Sequence, residues 1–371
     1  MPHDLVSLFI DAIKIDALSL KERPMANFVR EFLRDLPVNI IEDDIAHHFN
    51  GECGNLICIP NTCDPSRPTL ALISHLDTPR STVDVKPVLT DERIASDGST
   101  ALGVDNRAGI SLLLYTLREH LRSGAAGQCI VVFTVGEELG LYGSKYLDPG
   151  AYHMKMGFVF DCSRRPGTFI RSAVGCSLFD ATFVGKSAHA AVAPERGVNA
   201  IHVASKALST ISLGRLSPTM TCNIGSVTGG TATNVIPDRC TFQGEVREFD
   251  QRIISTFLTG IEQTFQKVAS EHHASLEFSS SVDFAPFRLG TDDEVFRWTS
   301  DTLREVGLDP VPIEYLGGSD ANMLNAKGLP TVNLGIGAQN PHGDDEFILI
   351  EDLLKSADIA RALMARSTSL T

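Results

Sequence analysis

The sequence contains no apolar run close to the roughly 18 residues that a membrane-crossing helix needs, so no span is expected. It is short of positive charge. Lys and Arg number 32 against 46 Asp and Glu, a formal net charge of −14 over 371 residues. A nucleic-acid partner needs a cationic face to neutralise phosphates, so the charge balance argues against that class and none is expected. Metal binding is not excluded, because clustered carboxylates attract cations. The first residues, from Met1-Pro2-His3-Asp4 onward, have no basic stretch ahead of their apolar residues and are not read as a secretory signal. Cysteine is thinly spread, at eight residues. Cys53, Cys58 and Cys63 lack the close pairs of a zinc knuckle, so the cysteines read as buried thiols in a reducing, cytoplasmic setting. No internal repeat or low-complexity segment occurs.

Length alone sets a prior of about two domains. The first part carries short apolar runs that read as buried strands. Ala71-Leu72-Ile73-Ser74 runs into His75, with Asp77 two residues on. Ile130 to Val135 runs into Gly136-Glu137-Glu138, Gly157 to Phe160 into Asp161, and Thr331 to Ile336 into a loop carrying His342. Open α/β sheets bind their ligands at the carboxyl ends of strands. Each of these four candidate strands delivers a zinc-type donor there.

Two amphipathic helices are expected over 3–18 and 24–36, with strands over 54–60 and 69–75. Asp105 precedes a strongly apolar helical pattern and, taken singly, reads as a helix N-cap. The paired carboxylates of Glu137 and Glu138 fit either a solvated turn or a metal site, where one ligates while its neighbour moves protons. From Leu178 to about Ser281 the order is strand, helix, strand, strand, helix, strand, the ferredoxin-like pattern. Strand–helix alternation resumes after Pro286, so this piece reads as an insertion. The expected organisation is a catalytic domain in two parts, 1–172 and 286–371, with a lid or dimerisation domain over 173–285.

His75, Asp105, Glu138, Asp161 and His342 form a set of two imidazoles and three carboxylates. Five such donors with one bridging carboxylate suit two metals sharing a site. Asp77 follows His75 by two residues, so on an extended chain both side chains point to one side. A carboxylate there can fix the tautomer of His75. Glu137 is then the free carboxylate able to move protons.

These stretches resemble the M20 metallopeptidases, and within them the peptidase T-like branch. The matching segments are Ser74-His75-Leu76-Asp77, Leu102 to Gly109, Gly136-Glu137-Glu138-Leu139-Gly140, Asp161, Lys186-Ser187-Ala188-His189, Gly317 to Asn322 and His342-Gly343. They occur in the family's order and cover nearly the whole chain. The resemblance implies an α/β fold: a zinc-exopeptidase-like three-layer catalytic domain with an inserted ferredoxin-like α+β lid. It implies two Zn2+ ions per subunit, with Asp105 bridging, His75 and Asp161 completing one site, and Glu138 and His342 the other. Glu137 would be the general base and Asp77 would stand behind His75. A cis peptide would follow the bridging aspartate, and a homodimer would form through the lid.

Three lid residues have two readings each. His189 is either a surface histidine or a hydrogen-bond donor to a substrate oxyanion. Asn234 either shapes a turn or contacts substrate. Arg247 either pairs with neighbouring acids or clamps a peptide carboxylate. The expected activity is removal of N-terminal residues from short peptides, with tripeptides foremost. A deacylase or carboxypeptidase on N-acyl amino acids or dipeptides would use the same metals. A non-catalytic binding protein would be expected to have lost some of the donors, and none is missing. The two arginines between Cys162 and Pro166, and Pro341 before His342, depart from the family's pattern.

Overall fold

The computed structural model describes residues 2–370 and forms two units. The first comprises the chain up to Arg171, Arg288–Glu314 and the chain from Ser319 onward. The second comprises Ser172–Phe287 and Tyr315–Gly318.

A nine-stranded sheet organises the first unit. Along its main path the order is Val38–Glu42, Leu56–Pro60, Cys129–Thr134, Thr69–His75, Met154–Cys162, Thr331–Gly335, Thr168–Ala173 and Phe287–Arg288. Thr69–His75 pairs in parallel with both Cys129–Thr134 and Met154–Cys162, and Thr331–Gly335 is parallel to Met154–Cys162. Parallel strands need both faces covered. Every residue of Thr69–His75, Cys129–Thr134 and Thr331–Gly335 is accordingly buried. Helices pack on the sheet, among them Val104–Ser123 and the short Asp320–Ala326. The four parallel strands are those whose carboxyl ends carry the candidate donors.

The helices near the start run over Pro2–Ile13 and Arg23–Leu33, shorter than the sequence pattern predicts. Leu18 instead bridges to Thr78, and the chain from Ile15 to Glu22 runs irregularly beside the end of the Thr69–His75 strand. The sequence also left Val38–Glu42 and Thr168–Ala173 unassigned as strands, and both join the sheet antiparallel to a neighbour.

The second unit holds an antiparallel sheet ordered Gly214–Arg215, Thr221–Gly229, Arg239–Glu248, Gly175–Val184, Ser275–Phe284. Helices Ala200–Leu208 and Gln251–Glu271 cover one face. Phe183, Phe242, Ile254, Ile261 and Phe265 meet in its core. The buried positions of the long helix recur at helical spacing, which is why its pattern is visible in the sequence. Asp250 caps it by accepting from the Arg252 N–H. Among the described residues no helix is long and apolar enough to cross a membrane.

Candidate metal centre

His75 closes its strand fully buried, with Asp77 beyond it on the same side. Its Nδ1 lies 3.2 Å from Asp77 Oδ1. Its Nε2 lies 3.0 Å from Asp105 Oδ1 and 3.2 Å from Asp161 Oδ1. His342 Nε2 lies 3.3 Å from the other oxygen of the same aspartate, Asp105 Oδ2, and 3.6 Å from Glu138 Oε1. Asp105 therefore divides its two carboxylate oxygens between two imidazoles that come from opposite ends of the chain.

Asp105 is not the helix cap: the backbone at Asp105 and Asn106 is non-helical, and the next residue, Asn106, caps the regular helix that follows by accepting from the Gly109 N–H. The Asp105–Asn106 peptide is cis. Asn106 turns inward, where its Nδ2 donates to Phe160 O at 2.8 Å and to Asp161 Oδ1 at 3.0 Å. Its Oδ1 accepts from the Gly109 N–H at 2.8 Å, so one amide ties the start of the helix to the end of a strand.

Asp77 is the hub of a second layer. Oδ1 accepts from the Glu137 N–H at 3.2 Å. Oδ2 accepts from the Ser19 hydroxyl at 2.7 Å and the Glu138 N–H at 3.2 Å. One carboxylate thus orients His75 and holds the backbone that presents both glutamates. Glu22, buried, accepts through Oε1 from the Gly136 N–H at 2.9 Å and the Leu20 N–H at 2.8 Å. Arg107, also buried, donates to Leu76 O and Ile15 O. Asn333 Nδ2 donates to Asp161 Oδ2 at 3.3 Å. Glu346 accepts from the backbone at both Gly103 and His342.

Electrostatics show what the cluster is short of. Burial, with the charge of Asp105 adding to it, pushes the Glu138 carboxyl up to about 8 and raises that of Asp161. Burial pushes Glu137 well above the usual carboxylate range; His75 opposes this, while Asp161, Glu138 and Asp320 add to it. Burial works against charge on His75, but hydrogen bonds to Asp105, Asp161 and Asp77 hold its proton well above the ordinary imidazole range. The Asp105 hydrogen bond pushes His342 up to about 9. So many carboxylates in a poorly solvated pocket repel one another unless positive charge joins them.

Divalent cations would supply that charge, and the donors fit them. Imidazole nitrogens and carboxylate oxygens are zinc ligands, and donor atoms of His75, Asp105 and Glu138 lie within 4.8 Å of one another. With Nδ1–H directed at Asp77, His75 would offer its Nε2 lone pair to a cation that displaces the proton it shares with Asp105 and Asp161.

The lid candidates lie in the second unit. His189 is exposed, and its Nδ1 accepts from the Ala191 and Val192 N–H groups, both at 3.2 Å. That places the ring proton on Nε2, which is thereby a donor. Asn234 is exposed and adjacent: its carbonyl accepts from the Ala190 N–H, and His189 bridges to Val235. Arg247 makes a two-pronged pair with Glu245, at 3.0 Å for each prong, and stacks over Phe284. Its fork is engaged by a neighbouring acid.

The chain is similar throughout its length to solved peptidases. The aminopeptidase PepT of Bacillus cereus is 31% identical, with coverage of 100% of this chain and 99% of that one, at a TM-score of 0.87. A tripeptidase from Staphylococcus aureus is also 31% identical, covering 98% of each chain, with a TM-score of 0.89. The chain belongs to the M20 peptidase family, in its peptidase T-like branch. The peptidase dimerisation domain of that family matches residues 171–275, and the model for M42 glutamyl aminopeptidases matches residues 85–168. Peptidase T of Exiguobacterium sibiricum is 22% identical over 99% of this chain and 98% of its own length. This M20 peptidase combines a mixed α/β catalytic fold with an inserted α+β unit, as the sequence resemblance implied.

Four supporting residues escaped the sequence reading. Asn106 and Asn333 had a weak signal, as amides within otherwise apolar or donor-bearing stretches. Glu346 follows His342 by four residues, and Glu22 lies in a polar turn, with no local sign that either would be buried.

Proposed function

We propose that the protein is a two-zinc aminopeptidase that releases the N-terminal residue of short peptides, tripeptides foremost. The observation that carries this reading is the division of Asp105 between His75 and His342. His75 and Asp161 would hold one ion with Asp105, and Glu138 and His342 the other. When bound, the ions would polarise the scissile carbonyl and lower the pKa of an attacking water toward about 7.

Glu137 has no hydrogen bond to the five donors and its backbone is fixed by Asp77. Its carboxylate would take the proton of the attacking water and give it to the leaving amine. With cations held by the five donors, Glu137 would be relieved of the upward shift that burial imposes on it and would stay ionised. Asp77 would hold the Nδ1–H of His75. From the inserted unit, taken as 173–285, His189 would donate its Nε2–H to the substrate oxyanion, and Asn234 and Arg247 would contact substrate. Arg247 would exchange Glu245 for a peptide carboxylate. The dimerisation-domain match supports a homodimer through this unit. The eight free cysteines support a cytoplasmic location.

Two measurements test the proposal. Glu137→Ala is expected to retain both zinc ions while kcat falls by about 10²–10⁴; loss of metal would contradict its role. The zinc-loaded enzyme is expected to cleave tripeptides, but not their N-acetylated forms, and to lose activity with a chelator. Preference for the N-acylated substrates would move the assignment to a deacylase.

A further inference from the structure

The half-exposed His342 is the least enclosed of the five donors: 54% of its side chain is accessible, against 2–16% for His75, Asp105, Glu138 and Asp161. Packing therefore does little to place its ring. Its backbone also lies at φ +69°, in the left-handed region that a residue bearing a β-carbon rarely adopts. Something else must hold this loop.

Glu346 is in position to do so. Its side chain is buried, 1% exposed. Oε1 accepts from the His342 N–H at 3.0 Å and Oε2 from the Gly103 N–H at 2.6 Å. Gly103 lies two residues before Asp105 and 243 residues before Glu346. The backbone of Glu346 is anchored in turn, since its carbonyl accepts from the Ser96 N–H and the next three residues pair with Ala95, Ile94 and Arg93. One carboxylate thus spans the loop that carries Asp105 and the loop that carries His342.

We propose that Glu346 is the positioning residue of the subsite formed by Asp105, Glu138 and His342, setting the separation of its two loops so that a second cation binds. This rests on the two-zinc reading above. Both oxygens serve as acceptors for N–H groups. Glutamine would turn an NH2 toward one of those N–H groups, leaving two donors face to face. Aspartate, one methylene shorter, cannot reach both.

Equilibrium dialysis against buffered zinc, on the full chain, tests the assignment. The wild type is expected to bind two ions. Glu346→Gln should keep one at unchanged affinity and weaken the other by roughly 10- to 100-fold. Raising free zinc should then restore kcat with KM for a tripeptide unaltered. Because the separation of the two loops matters only to a site that His342 completes, adding Glu346→Gln to His342→Ala should weaken zinc no further. Equal weakening of both ions, a full additional loss in the double variant, or wild-type binding by Glu346→Gln would each overturn the proposal. A wild type that binds fewer than two ions would instead overturn the two-zinc reading. Amide exchange in the metal-free wild type keeps the clamp testable if the variants fail to fold. The Gly103 and His342 amides should be protected together, and fast exchange at either removes the clamp.

Discussion

Glu22 shows how far a single buried residue reaches. Its Oε1 holds the Gly136 N–H, one residue before the glutamate pair, while its Oε2 is buried without a partner. Burial, reinforced by the charge of Asp77, raises its carboxyl from 4.5 to about 7. The folded chain binds this proton more tightly than the unfolded chain does. Stability from this group is therefore fully present below pH 4.5 and is lost as pH rises through 7. The shift corresponds to something on the order of 3 kcal/mol. Glu22→Gln keeps an acceptor for both N–H groups and carries no charge. In metal-free protein, urea unfolding at pH 8 should find this variant more stable than wild type, with the difference vanishing near pH 4.5. A variant less stable at pH 8 would show that Glu22 stays ionised at no cost.

The same scale explains what the sequence could and could not reveal. His75, Asp105, Glu138, Asp161 and His342 were legible because polar donors interrupt or follow apolar strands abruptly, and because their order matches a family. Glu22 and Glu346 were not. Their roles arise from contacts 114 and 243 residues away, and nothing local distinguishes them from surface polar residues. Arg247 had two readings, and its pairing with Glu245 realises the local one in the structure.

At the scale of elements, the helix Val104–Ser123 is pressed against the strand ends at Gly109. A β-carbon there would meet Asn106 Oδ1 at 2.3 Å, Ser74 Oγ at 2.5 Å and Phe160 O at 2.6 Å. Gly109→Ala should cost at least about 1–3 kcal/mol and displace Asn106 from Asp161, disturbing the candidate metal site as well. Gly260, in Gln251–Glu271, is exposed and has nothing within 4 Å of an added β-carbon. Gly260→Ala should stabilise by about 0.5–1 kcal/mol. Thermal unfolding of the pair checks both signs, and equal behaviour would mean that the helix–strand contact is looser than described. Element type was legible wherever one period was clean, as in the long helix of the inserted unit. It failed at Val38–Glu42, where the buried and exposed positions do not alternate, so neither strand nor helix periodicity stands out.

At the scale of the molecule, the inserted unit folds around its own aromatic core and its sequence matches a dimerisation domain. Sedimentation at micromolar concentration should return twice the chain mass, and a monomer with full activity would show that the partner subunit contributes nothing to catalysis. The division into two units was legible because an α+β strand order interrupts an α/β alternation. The last strand of the parallel run, Thr331–Gly335, comes from beyond that interruption, a fact of pairing rather than of pattern.

That late strand has a consequence for how the chain is made. Met154–Cys162 and Thr168–Ala173 are consecutive in sequence, yet Thr331–Gly335 lies between them in the sheet. At ~5–20 residues per second, the ribosome delivers His342 roughly 10 to 40 s after Asp161. Throughout that interval the two earlier strands lack the partner that separates them in the folded sheet, and the candidate metal cluster lacks His342. Any pairing of those two strands with each other would have to be undone before the late strand could enter.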